Sequence, residues 1–211
     1  MRNERFIVLL VLFNATVCNS QDFSKLKTSN KGVELMNEGK YLDAISQFSE
    51  LVEQDSTTTV FRYNRALCYL SINRLQESLT DFKVLFRQLP DEPEYIYQQG
   101  VIYLKLDSLK KAEYCLTQAI SQDSENHEYF SSRGTTYLKL KSYDLAIADL
   151  TKSLTLNGQN KTVLHNRGIA FLRVGKKELA CQDWCDAFHL GNLNSKSHIE
   201  KNCSQLINCL D

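Results

Sequence analysis

Seven cysteines and four histidines are the residues of this 211-residue chain with the most chemistry to offer. Cys181, Cys185 and His189 put three metal-ligand types at i, i+4 and i+8 of one helical face, and Cys203 and Cys209 follow. A structural zinc site takes paired ligands from a tight knuckle and a second element. Spacing by helical turns spreads these three over about 12 Å of axis, beyond the reach of one ion. No metal and no cofactor is therefore expected. A Cys-x-x-Cys pair is absent, which removes dithiol oxidoreductase chemistry. No nucleophile elbow, phosphate loop or His-Glu-x-x-His occurs. His127, His165, His189 and His198 fall at no recognisable spacing. The residues point away from an enzyme: no catalytic residue and no small-molecule substrate is expected.

Composition narrows the classes further. Lys plus Arg equals Asp plus Glu at 25 each, so no net field draws the chain to nucleic acid or anionic lipid. With 43% apolar residues and only two prolines, Pro90 and Pro93, it has enough apolar side chains for a continuous core. Residues 1–20 stand apart. Arg2 and Arg5 precede the apolar run Phe6–Phe13, and small residues follow up to Ser20. That order of basic start, short apolar centre and small residues is a secretory signal peptide cut after Ser20. The run is shorter than the roughly 20 residues that span a bilayer. An alternative is a lipoprotein acylated at Cys18 and held peripherally at a membrane. Export to the periplasm or medium is the expectation. The ending Asn-Ser-Gln resembles exported proteins of Bacteroidetes-type bacteria.

The elements that must position these residues follow from a repeat. Gly32, Ala66, Gly100, Gly134 and Gly168 are each 34 residues apart, and Ala44, Ser78, Ala112, Ala146 and Ala180 keep the same interval. Leu35, Tyr69, Tyr103, Tyr137 and Phe171 lie between the two sets, and Phe48, Phe82, Leu116, Leu150 and Trp184 lie after them. Small residues let two antiparallel helices approach closely, so Gly134 is expected to face Ala146, with the larger residues filling the gaps around the crossing. Gly39, Asn73, Asp107, Lys141 and Gly175 occupy the turn between the helices, where a left-handed backbone is needed.

Five helix–turn–helix units of 34 residues resemble the tetratricopeptide repeat family. In its usual frame the units are 25–58, 59–92, 93–126, 127–160 and 161–194, after a linker at 21–24. The resemblance implies an all-α, right-handed superhelical solenoid, closed by a C-terminal capping helix at 195–211. The proline that often closes each unit survives only as Pro90.

Comparison of the units exposes a charge pair. Arg65, Arg133 and Arg167 precede the small residue in units two, four and five, and Asp81, Asp149 and Asp183 occur in the same three units. Units one and three lack both members, having Lys31 with Gln47 and Gln99 with Cys115. Joint presence and absence predicts contact, so Arg65–Asp81, Arg133–Asp149 and Arg167–Asp183 are expected to be salt bridges that fix helix register.

The same comparison sorts the cysteines. Cys181 aligns with Ile45, Leu79, Glu113 and Ile147, a mostly apolar position, whereas Cys185 replaces the polar Ser49, Lys83, Thr117 and Thr151. Two arrangements stay open: a bridge from Cys181 or Cys185 to Cys203 that staples the cap, or free thiols in a packed interface.

In the family, the first helix of each unit lines a concave, partner-binding face. The resemblance places Tyr63, Tyr97, Ser131 and His165 there, followed by Val101, Thr135 and Ile169, then Lys105, Lys139 and Arg173 near the helix ends. Tyr63 and Tyr97 are the expected anchors. A face aromatic at one edge and basic at the other suits a protein or peptide ligand with an acidic flank. The Lys and Asn pattern with which some members of the family grip a C-terminal carboxylate is missing at Ser29, Val33, Glu94 and Gln98.

Overall fold

The computed structural model describes residues 20–203 and Cys209. Among these are eleven α-helices and no strand. They form two compact units, divided between Gln88 and Leu89. The first holds α1 (Ser20–Asn37), α2 (Tyr41–Gln54), α3 (Thr59–Ser71) and α4 (Leu75–Gln88). The second holds α5 (Pro93–Lys105), α6 (Leu109–Gln122), α7 (His127–Lys139), α8 (Tyr143–Leu156), α9 (Lys161–Arg173), α10 (Lys177–His189) and α11 (Asn194–Asn202). Within each unit every helix packs on the next, as consecutive helix–turn–helix pairs. No described helix is long and apolar enough to cross a membrane.

Each pair turns by the same device. Gly39, Asn73, Asp107, Lys141 and Gly175 all have positive φ, between 55° and 79°. The next N–H reaches back five residues: Ser142 N donates to Tyr137 O at 2.9 Å, with the equivalent bond at Lys40, Arg74, Ser108 and Lys176. This is the Schellman closure of a helix. A left-handed residue carries strain unless it is Gly or a short polar residue, and Lys141 is neither.

The crossing itself differs from the expectation. Gly134 is not opposed chiefly by Ala146: a Cβ added to it would lie 2.7 Å from Leu150 Cγ and 3.3 Å from Asp149 Cβ. Gly32 meets Phe48, Gly100 meets Leu116 and Gly168 meets Trp184 in the same way. The second helix therefore presses a large side chain against the bare backbone, while the Ala or Ser one turn earlier lets it settle there. Both sets are fully buried in every repeat, at 0% exposure. In the second repeat Ser78 also donates its hydroxyl to Ala66 O at 2.9 Å.

Two boundaries are corrected. Residues 21–24, expected as a linker, belong to α1, which begins at Ser20; no Pro or Gly interrupts the chain before Gly32. The capping helix, expected over 195–211, is Asn194–Asn202, and Cys203 already leaves the helical conformation. The reason is geometric. Cys203 and Cys209 pair with Cys181 and Cys185, which lie one turn apart on a single face of α10. Cys203 and Cys209 are both outside the helical conformation where they meet that face. Leu206, Ile207, Leu210 and residues 1–19 of the proposed signal segment lie outside the described residues.

Because the neighbours of Gly134 leave no room for a methyl, Gly134→Ala is expected to destabilise the protein by about 2 kcal/mol despite alanine's higher helix propensity. Lys141→Gly, which relieves a left-handed lysine, is expected to be neutral or stabilising by up to about 1 kcal/mol. Urea unfolding followed by helical circular dichroism measures both.

Candidate functional site

The side chains that sequence comparison singled out divide into a buried scaffold and an open face. In the scaffold, three arginines grip three aspartates with two bonds each. Arg133 Nε and Nη2 donate to Asp149 Oδ2 and Oδ1 at 2.7 and 2.9 Å. Arg65 binds Asp81 and Arg167 binds Asp183 with the same fork, at 2.7–2.8 Å. Bidentate geometry of this kind is the strong form of the pair. All three aspartates are buried. Burial nevertheless leaves Asp183 above the ordinary carboxylate range, with Arg167 opposing it, while the aspartate bonds raise the proton affinity of Arg65 and Arg133.

Each arginine also reaches backwards, which the sequence comparison missed. Arg133 Nη1 donates to Thr117 Oγ1 at 3.2 Å, Arg167 Nη1 to Thr151 Oγ1 at 3.2 Å, and Arg65 Nη1 to Ser49 Oγ at 3.4 Å. One guanidinium thus ties its own second helix to that of the preceding repeat. The signal was present: Ser49, Thr117 and Thr151 are equivalent positions, each sixteen residues before an arginine. In the first unit Arg62 adds a further bond to Asp81 at 3.2 Å. The position of Cys185 is that same hydroxyl position in the last repeat.

Cys185 bonds to Cys209, and Cys181 bonds to Cys203. All four sulfur-bearing residues are buried. Cys68 and Cys115 are buried and take no part in a disulfide, and burial pushes the Cys68 thiol up to about 12. With Cys181 and Cys185 joined to other sulfurs, the Cys181–Cys185–His189 row has only His189 left to offer a metal. Among the described residues no group of three or more His, Cys, Asp or Glu is placed to hold an ion.

The face residues are unequal. Tyr97 is half-buried: its ring lies 4.6 Å from that of Tyr129, and its hydroxyl is 3.4 Å from Ser132 Oγ. Burial raises both tyrosine hydroxyls well above their ordinary range. In the first unit Tyr63 stands edge-on to Phe82 at 5.9 Å. His165 is covered by α11, with Nδ1 2.8 Å from Ser195 Oγ. Thr135 donates to Ser131 O and accepts from Asn166 Nδ2 at 3.2 Å, joining α7 to α9. Only the basic end is open: Lys105, Lys139 and Arg173 are exposed. They stand at equivalent places near the C-terminal ends of α5, α7 and α9. Lys139 contacts Asp107 of the preceding repeat at 3.1 Å, a pair exposed on both sides.

Tetratricopeptide repeat models match residues 30–93, 93–126 and 127–160. The chain belongs to the tetratricopeptide repeat family. Sperm-associated antigen 1 of Rattus norvegicus is 33% identical over 66 residues, which is 31% of this chain and 7% of that protein. The chain thus matches a small part of that relative's length. Among solved structures, MamA from Desulfovibrio magneticus RS-1, residue 41 to its end, superposes with a TM-score of 0.73 at 15% identity. That match covers 79% of this chain and 94% of MamA. YrrB, a tetratricopeptide protein with an unusual peptide-binding site, gives 0.68 at 16% identity over 86% and 95% of the two chains. At such identities the likeness is one of fold. It is a fold that serves as a scaffold for protein–protein contact and is generally non-catalytic.

Substitution and thiol chemistry test the scaffold of this tetratricopeptide chain. Asp149→Ala leaves a mostly buried guanidinium unpaired and is expected to cost about 3 kcal/mol in urea unfolding. The double change Arg133→Met with Asp149→Leu should cost less than that single change. Alkylation of the denatured, unreduced chain should label Cys68 and Cys115 while sparing the four bridged cysteines, as peptide mass mapping reads directly. Reduction should then lower stability by about 3 kcal/mol per bridge.

Proposed function

We propose that the protein is an exported, non-enzymatic scaffold of a bacterial cell envelope. In this reading its second unit binds a partner's peptide segment along the first helices of its repeats. The observation that carries the binding face is the row of Lys105, Lys139 and Arg173 at equivalent ends of α5, α7 and α9, beside the half-buried Val101, Thr135 and Ile169. Three cations in register with an apolar strip suit a segment that carries acidic side chains next to an apolar anchor. The Lys139–Asp107 contact is exposed, and such pairs contribute little, so a ligand carboxylate replaces Asp107 at small cost. The peptide-binding site of the structurally similar YrrB supports a peptide as the ligand class. Tyr97 serves as a shelf rather than a free anchor, since Tyr129 and Ser132 hold it.

Export is supported by the two disulfides, which persist in oxidising compartments and are rare in reducing ones. It also rests on the basic, apolar and small-residue order of residues 1–20. The N-terminal mass of protein from native membranes and medium separates cleavage after Ser20 from acylation at Cys18.

Selection of peptides from a random display library tests the face. Enriched sequences are expected to combine Asp or Glu with an apolar residue. Their binding should weaken at least tenfold in Lys105→Glu with Arg173→Glu, and should fall with added salt. Equal binding by the charge-reversed protein, with its helical content intact, excludes this face as the site.

A further inference from the structure

α11 takes on the last repeat the place that a first helix takes on each earlier one: it packs on α10 as α9 packs on α8 and α7 on α6. Its polar contacts with the neighbouring first helix are of a different kind. Where α9 meets α7 through Asn166 and Thr135, α11 meets α9 through imidazoles. His165 Nδ1 lies 2.8 Å from Oγ of the fully buried Ser195. The His165 ring stands edge-on to His198, with 5.2 Å between centroids. His198 lies stacked on Trp184 at 4.7 Å. Trp184, the only tryptophan of the chain, is fully buried and donates its Nε1–H to His165 O at 3.2 Å. Three helices therefore contribute one ring each to a closed stack.

The charges around that stack are positive or already paired. The charge that acts on His165 is His198, and the one that acts on His198 is Lys201, from its own helix. On α10 and α9, Asp183 has both carboxylate oxygens taken by Arg167. Glu200 of α11 is exposed and lies 3.9 Å from Lys196.

We propose that this imidazole–indole stack is a pH-sensitive latch that holds α11 on the last repeat while both histidines are neutral and loosens it when they take up protons. Burial disfavours the charged form of each, and His198 adds to this at His165, as Lys201 does at His198. Both imidazoles therefore bind protons less tightly folded than unfolded. A depressed group of this kind contributes its stability above the unfolded value, about 6.5, and loses it as pH falls through the folded value. The Trp184 face attracts a cation and offsets part of the cost at His198. The second proton has no such compensation, because it sets two imidazolium rings 5.2 Å apart. The bridge from Cys203 to Cys181 keeps α11 attached throughout. Opening is thus local, and it uncovers His165 on the first-helix face of the last repeat. The latch stands whether or not that face binds a peptide.

Hydrogen exchange of the full, oxidised protein tests it. Corrected for intrinsic rates, amides of 194–202 should exchange at least tenfold faster at pH 5 than at pH 7.5, while those of α5 and α6 stay unchanged. Trp184 emission should change over the same range. The double variant His165→Gln with His198→Gln should lose this dependence. Protection of α11 that is flat or rises on acidification overturns the latch, as does an unchanged pH dependence in the double variant. Should the variant fail to dock α11 at any pH, imidazole titration of the native protein by NMR decides. Midpoints below about 6.5 for both rings uphold the latch, and a midpoint at or above it for either ring rejects it.

Discussion

Four of the five repeats depend on one contact, a large side chain of the second helix lying against bare backbone of the first; in the second repeat Ala66 takes the glycine's place opposite the fully buried Phe82. Leu150 Cγ lies 2.7 Å from where the Cβ of Gly134 would be, and Phe48, Leu116 and Trp184 crowd Gly32, Gly100 and Gly168 in the same way. Close packing leaves no slack for a methyl there. The contact also sets the reach of the neighbouring residues. Arg133 precedes Gly134 and Asp149 precedes Leu150, so the salt bridge lies one residue before the crossing on both helices. A looser crossing would put the carboxylate beyond the fork of the guanidinium. The ion pair is therefore a consequence of the packing as much as a support for it, which fits the modest net stabilisation expected of a buried pair.

The arginine turns a pairwise contact into a chain of them. With one arm on its own aspartate and another on a hydroxyl of the preceding repeat, it fixes three helices with a single side chain. The tie recurs at Arg65, Arg133 and Arg167, but 34 residues after Arg167 the chain has a lysine. Lys201 occupies that place and is exposed. At the matching hydroxyl position the chain has Cys185, and one turn earlier Cys181. Their bridges to Cys209 and Cys203 substitute covalent bonds for the missing arginine and for the apolar contacts of a full repeat. A nine-residue helix could not otherwise cover α10, since so short a helix is marginal without tertiary support.

How much of this was legible follows from what repeats and what does not. The 34-residue interval marks the turns, the arginine–aspartate pairs and the odd status of Cys185, because each is a comparison among equivalent positions. Which residue opposes Gly134 was not legible. Ala146 and Leu150 lie one turn apart on the same face, and a pattern shows the face but not the height along it. The partner of Cys185 was hidden for a related reason: Cys209 lies outside the five repeats, so no equivalent position exists to compare it with. The fate of Tyr97 and His165 was hidden because Tyr129, Ser132, Ser195 and His198 occupy other repeat positions, so the alignment of units does not bring them together.

What remains for function is what these demands leave over. Tyr97 and His165, chosen from sequence as face residues, are engaged by neighbouring first helices. Lys105, Lys139 and Arg173 are exposed, and their place has its own physical reason: cations in the last turn of a helix complement its dipole. The same placement that steadies each helix aligns the cations across consecutive repeats. A row of positive charge is then a by-product of helix design, and the proposed binding adds an apolar strip beside it. Val101, Thr135 and Ile169, half-buried one turn before the cations, are the residues proposed for that strip. The proposed face therefore shares positions with the scaffold, since Thr135 joins α7 to α9 and Ile169 packs against the core of the fifth repeat, while the exposed cations lie outside the crossing, the arginine ties and the stapled end that hold the repeats.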